Sequence, residues 1–325
     1  MRPTAPTSSP AATAAAAADQ ATEERIGIAA AAAAAIVYGA AYPATAVALR
    51  SFSPLAIAGL SCTLALCLVT GLAVTGVLPR PSVEAMTRPR LLRLSLLALL
   101  GGVLFIVGVN IAVAIAGPTI TGFVAPLYAV LATLFAVPLL GERVRVATLV
   151  AFGLAFIGTA LLAGAVPTGA PAAGVVLALA SAAMFGLYVV LARRWGVRYR
   201  LDGTLITIAN LVGRGPLLLA AALILDPATV IPAAPEPAAI VALLTITFGS
   251  STSGNLLLMA SVRRVRAGRT SAALLLTPVA SAVIAAVVLG DRLSPEGIIG
   301  AGLILAGMAV ASGLLSWRRA GVGLV

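Results

Sequence analysis

The sequence contains no histidine and no lysine, and its charged residues make up only 10% of 325. Without histidine, the usual proton shuttle and the commonest metal ligand are both missing. No cluster of Cys, Asp and Glu takes its place, and no pair of carboxylates sits within an apolar run. A metal site, a cofactor and acid–base catalysis therefore have no candidates, and the chain reads as something other than an enzyme. A glycine-rich phosphate loop ending in GKS or GKT is also absent, so ATP does not drive it directly. Aromatic residues are scarce at 5%. The two cysteines, Cys62 and Cys67, share one apolar run and imply no disulfide framework.

What is present is apolar. Hydrophobic residues reach 61% and the mean hydropathy is +1.12, beyond any soluble domain of this length. Long uncharged stretches mean transmembrane helices in a lipid bilayer. The net charge of +11 comes from arginines in short turns between those stretches. That leaves no basic face for phosphates, so nucleic acid is not an expected partner. Nothing in the sequence specifies an oligomeric state, and a monomer is compatible with it.

Residues 1–24 are Ala, Thr, Pro and Ser with a few charges, and read as a disordered cytoplasmic tail. The apolar run Ile26–Leu49 that follows has 24 residues, against roughly 7–15 for a signal-peptide core, so it reads as an uncleaved span. One span follows at about Pro54–Leu78. From Leu94 to Gly141 lie 48 uncharged residues, two spans divided at Gly117-Pro118. From Val146 to Ala192 lie 47, again two spans, divided by Pro167–Pro171. Residues 204–225 make one span, and Pro237–Val262, Thr270–Gly290 and Gly297–Trp317 supply three more. The expected fold is all-α, with ten transmembrane helices, five per half.

The halves repeat. TGFVAPLYAVLATLFAVPLLGERV at Thr121–Val144 and TSAALLLTPVASAVIAAVVLGDRL at Thr270–Leu293 superpose with a shift of 149 residues. The same shift carries Gly153 onto Gly302 and Gly158 onto Gly307. Residues 25–165 form one five-helix repeat and 171–318 the other. With the amino terminus inside, cytoplasmic segments hold eighteen arginines, and the opposite side only Arg50 and Arg292. Both termini are then cytoplasmic. Five helices per half make the second copy enter inverted, the arrangement of secondary transporters whose half-bundles rock about a central site.

The paired ends Leu-Gly-Glu-Arg at 140–143 and Leu-Gly-Asp-Arg at 289–292, with Tyr38-Gly39, Arg50 and Ser53-Pro54, resemble the drug/metabolite transporter superfamily, specifically its ten-helix EamA type. The resemblance covers about 25–318. It implies an inner-membrane transporter of small metabolites and leaves the substrate open. Thr277-Pro278 sits where that family usually has a proline, which carries Pro278 into the candidate site. In the first repeat Ala129 aligns with Pro278, and Pro126 lies a turn earlier. Small multidrug relatives carry protons on a glutamate in the first helix. Here Ile26–Leu49 has no acid, so uniport or exchange is expected.

Arg214 stands mid-span, with eleven uncharged residues on either side before Asp202 and Asp226. A charge at the bilayer centre costs roughly 2.5–3.5 kcal/mol on insertion scales. Eleven helical residues rise about 16 Å, too far for the guanidinium to snorkel. No mid-membrane acid is available to pair with it. One reading gives it a substrate carboxylate or phosphate; the other gives it backbone carbonyls freed by Gly215-Pro216. Asn110 and Asn255 sit mid-span before each repeat motif, 145 residues apart. They read either as a pseudo-symmetric pair at the interface between halves or as helix–helix hydrogen bonds. Tyr38 and Tyr42, a turn apart, join Tyr128 and Tyr188 as candidate cavity walls, with interfacial anchoring as the alternative. Ser250–Ser253 add hydroxyls, and Trp195 and Trp317 read as belt residues.

The candidate substrate site is thus Arg214, Asn110, Asn255, Tyr38, Tyr42, Tyr188 and Pro278. The expected function is efflux of a small polar metabolite, amino-acid-like or another organic anion, by alternating access. The alternative is a non-transporting scaffold or lipid-binding bundle. Topology is testable first: in a protein lacking Cys62 and Cys67, an impermeant maleimide added outside should label Gly290→Cys and spare Gly141→Cys. Equal labelling of both positions would remove the inverted repeat.

Overall fold

The computed structural model describes residues 10–76, 87–141, 146–164, 172–199, 203–265, 273–274 and 276–311. Most of these residues are helical, with no strand among them. The helices are α1 (Pro10–Ala48), α2 (Pro54–Val74), α3 (Arg88–Ala116), α4 (Pro118–Leu140) and α5 (Val146–Gly164). There follow α6 (Ala172–Tyr199), α7 (Gly203–Leu225) and α8, which runs through Pro237–Leu244, Thr245–Gly254 and Asn255–Arg264. The last are α9 (Leu276–Leu289) and α10 (Pro295–Ala311). Seven helices are long and apolar enough to cross a membrane, and α5, α9 and α10 are shorter apolar helices within the described residues. Their outward faces carry bare apolar side chains, such as Phe156 at 64%, Ile224 at 80% and Val287 at 81% exposure. Such faces suit a hydrocarbon solvent and no aqueous one.

Local chemistry sets the helix ends. Ser53 caps α2 by accepting from the Ala56 N–H at 3.2 Å, with Pro54 in the first turn. Gly141 and Gly290 end α4 and α9 in left-handed backbone, φ +71° and +73°, a conformation that favours glycine at a helix C-terminus. A cysteine at either position carries the same strain, so the topology comparison stays balanced. The Glu142-Arg143 turn itself lies outside the described residues. One boundary differs from expectation: α1 begins at Pro10, so residues 10–24 are helical where an irregular tail was expected. Their alanine run has the highest helix propensity of any residue, which outweighs its lack of an apolar face.

Two helices share a distortion. In α3 the segment Ala98–Leu104 is π-helical, and in α8 so is Thr245–Gly254. Single π turns of this kind are rare and often stand at functional sites.

Several close glycine contacts recur in pairs. A Cβ on Gly158 of α5 would lie 2.6 Å from the Gly300 oxygen and 2.9 Å from the Ile304 nitrogen of α10. A Cβ on Gly307 of α10 would lie 2.8 Å from the Ala151 oxygen and 3.2 Å from the Ala155 nitrogen of α5. Every residue in the second contact is its counterpart in the first shifted by 149. Gly39 of α1 rests on Thr277 and Ser281 of α9, and Gly186 of α6 rests on Tyr128 and Ala132 of α4. Gly59 of α2 meets Leu218-Leu219 of α7, while Gly215 of α7 meets Cys62-Thr63 of α2. Gly27 packs on Val265 at the end of α8, and Gly174 on Ala116 at the end of α3. Small residues let backbones approach where no hydrophobic drive holds helices together.

The two ends of the bundle differ in charge. At one, Glu23 pairs with Arg264 at 2.8 Å, and the Arg93 guanidinium lies 3.8 Å from the Tyr199 ring centroid. At the other, Arg50 meets Glu236 at 3.5 Å, Thr119 donates to Asp291 at 2.6 Å, and Thr229 bonds Ser53 and Asp226.

Valine at Gly158 or at Gly307 should overpack the α5–α10 seam, a class of change that costs about 1–3 kcal/mol. No atom lies within 4 Å of a Cβ at Gly153 or Gly302, so valine there should be silent. Melting temperatures of the four variants in detergent check this, and a uniform loss would contradict the seam.

Candidate functional site

Between the two halves lies a cavity of about 320 Å³, walled by α1, α2, α3, α4 and α6 to α10. Tyr38, Tyr42, Asn110, Arg214 and Asn255 all line it. Tyr188 and Pro278 do not. The Tyr188 ring lies on Gly101 of the α3 π segment, and its hydroxyl accepts from Asn210 Nδ2 at 3.1 Å, one layer behind the wall. Pro278 is fully buried beside the lining residue Thr277. It lies next to the carbonyl on which Gly39 rests, so packing accounts for its environment.

Arg214 projects from α7 where that helix crosses α3. Its Cδ would be 3.1 Å from a Cβ on Gly102, and Asn210 Oδ1 would be equally close. Glycine at 102 thus makes room for both polar side chains. Among the described residues Arg214 makes no ion pair and no hydrogen bond, and its Nε is buried with no partner. Asn210 Oδ1 is likewise buried and unmatched. Among the described residues no backbone carbonyl receives the guanidinium, although Gly215 and Pro216 follow it within α7. Gly215 serves instead as the close-approach point against Cys62-Thr63. An unmatched buried donor costs about 1–3 kcal/mol, more for a charged group. Its natural complement is an anion in the cavity.

The asparagines are occupied. Asn110 donates from Nδ2 to the Pro54 oxygen at 3.1 Å, tying α3 to the start of α2. Asn255 accepts from the Tyr38 hydroxyl at 3.0 Å and donates to the Ser251 oxygen at 2.9 Å. The Tyr38 ring fits against Gly254, where a Cβ would come within 2.8 Å of it. The two asparagines are not equivalent positions. The contacts of Gly27 and Gly174 fix a shift of 149 at the ends of α3 and α8, so Asn255 aligns with Ile106, one turn from Asn110.

One wall is aromatic. Phe185 on α6 stacks on Phe105 at 4.4 Å between centroids and meets Tyr128 edge-on at 4.7 Å. Phe105, Phe185 and Asn210 escaped the sequence reading. Residues 27 and 39 repeat at 174 and 186, a shift of 147. This shift places Phe185 opposite Tyr38, but it is weaker in sequence than the 149-residue repeat.

A family model for EamA-like transporters matches the chain twice, over residues 25–164 and 172–313. The chain belongs to the EamA-like transporter family. It is accordingly a multi-pass membrane protein and a transporter of the drug/metabolite type; members of this family are transporters, not enzymes. Among curated proteins no match is found. One solved crystal structure is similar over 90% of this chain and 97% of its own, with a TM-score of 0.62 and 22% identity. That likeness concerns the fold alone.

Proposed function

We infer that this EamA-like protein is a secondary transporter that exports a small polar metabolite, amino-acid-like or another organic anion, across the cytoplasmic membrane. Ten helices in two inverted five-helix repeats, 25–165 and 171–318, carry it. The reciprocal glycine contacts of α5 with α10 and of α2 with α7 support a pseudo-twofold axis through the cavity. The asymmetry of charge supports the orientation: arginines gather at the Glu23–Arg264 end, while Asp226, Glu236 and Asp291 gather at the Arg50 end. Both termini are then cytoplasmic, and the two halves rock to expose the cavity to each side in turn.

The observation that carries this reading is Arg214, a half-buried cation lining the cavity between the halves, whose Nε is buried and which has no ion pair or hydrogen bond among the described residues. Its counterpart across the pseudo-twofold is Ala58, fully buried, so a single cation faces the cavity from α7. The charge serves substrate rather than symmetry. No acid stands among the described lining residues, which favours uniport or exchange over proton coupling.

Cells with the gene should accumulate the exported metabolite outside, relative to cells without it, at initial rates indifferent to collapse of the pH gradient. Arg214→Lys keeps the charge and loses the fork geometry. Losing a charge-assisted bond of roughly 1.5–3 kcal/mol should lower apparent affinity 10- to 100-fold. Arg214→Met should abolish transport with no loss of melting temperature. A destabilised Met variant beside an unaffected Lys variant would remove Arg214 from the substrate site.

A further inference from the structure

The polar groups of the cavity divide into those already engaged and those free. Asn255 has both ends of its amide engaged, to Tyr38 and to Ser251, and the Asn110 amide nitrogen is held by Pro54. The Thr45, Ser61 and Ser250 hydroxyls donate into their own helices. What is left among the described residues is the Asn110 amide oxygen and a set of donors. The donors are the Arg214 guanidinium and the hydroxyls of Tyr42, Tyr128, Ser251 and Thr277. Arg214 is also the one charged group among the described lining residues. The potential inside is therefore positive, in a site where low dielectric strengthens every charge.

The remaining surface is flat and apolar. Phe105, Phe185 and Tyr128 form a continuous aromatic wall, with Tyr38 and Tyr42 also lining the cavity. At about 320 Å³, the space is at the small end of ligand pockets, which run roughly 300–1,000 Å³. It suits one ring and a short chain.

We propose that the substrate is an aryl monocarboxylate without an ammonium group, its carboxylate on Arg214 and its ring against Phe105, Phe185 and Tyr128. This rests on the transport reading and narrows it: zwitterionic amino acids are disfavoured. An ammonium beside the carboxylate would enter a cavity with a fixed cation and no counter-charge. It would also lose its water shell, since the remaining acceptors are neutral oxygens of the Asn110 amide and of hydroxyls.

Three compounds with one skeleton isolate each group: 3-phenylpropionate, L-phenylalanine and 2-phenylethylamine. Binding to the purified full-length protein in detergent at neutral pH, read by calorimetry, should follow that order. Phenylalanine should bind at least 10-fold more weakly than 3-phenylpropionate, and 2-phenylethylamine should not bind. Arg214→Met should abolish 3-phenylpropionate binding, and Arg214→Lys should weaken it. Phenylalanine binding as tightly as 3-phenylpropionate would overturn the inference while leaving the transport reading intact. Failure of 3-phenylpropionate to bind would overturn it as well. If the gene-dependent efflux were also missing, the transport reading would fall with it.

Discussion

In a bilayer, apolar side chains gain nothing from leaving lipid for protein, so helices must be held together by close packing of their backbones. This protein meets that constraint with glycines placed in reciprocal pairs. Gly158 touches the backbone at Gly300 and Ile304, and Gly307 touches it at Ala151 and Ala155. Gly59 and Gly215 do the same for α2 and α7. These seams fix how near the halves come to each other. The cavity lies between the same halves, where large aromatic rings and π turns stand in place of glycine contacts.

The cavity departs from the repeat of the two halves at the residues that carry chemistry. Ala58 stands where the second half has Arg214, and Ile106 where it has Asn255. The ring of Tyr38 has Phe185 as its counterpart. Both halves bring polar side chains to the interior, while the one charged group among the described lining residues comes from α7 alone. A substrate bound there meets a cation from α7, an amide–phenol pair from α8 and α1, and an aromatic wall from α3, α4 and α6.

Much of this was legible in the chain because a bilayer imposes simple rules. Uncharged runs gave the helices, Gly117-Pro118 gave a turn, and the 149-residue shift located Gly158 and Gly307, which proved to be reciprocal contacts. Arg214 was conspicuous because a mid-span charge is costly. Other features were hidden for physical reasons. Helicity over residues 10–24 follows from alanine propensity, which a reading based on apolar runs passes over. The pairing of Asn110 with Asn255 relied on spacing alone, and the backbone contacts set a different register. Phe105 and Phe185 look like ordinary lipid-facing residues in sequence, because nothing in an apolar run reveals which face turns inward.

The central claim is that one cavity opens to each side in turn, and a cross-link at one end tests it most directly. A Cβ on Gly27 would lie 3.5 Å from Val265 Cβ, within the range a disulfide needs. Gly27→Cys with Val265→Cys should therefore lock this end of α1 to α8, the cytoplasmic end in the proposed orientation. In a background lacking Cys62 and Cys67, Ser250→Cys in the cavity should react with a small impermeant thiol reagent in both right-side-out and inside-out vesicles. After oxidation of the added pair, labelling in inside-out vesicles should stop while labelling in right-side-out vesicles continues. Labelling from both sides despite the cross-link, or from neither side before it, would contradict the account.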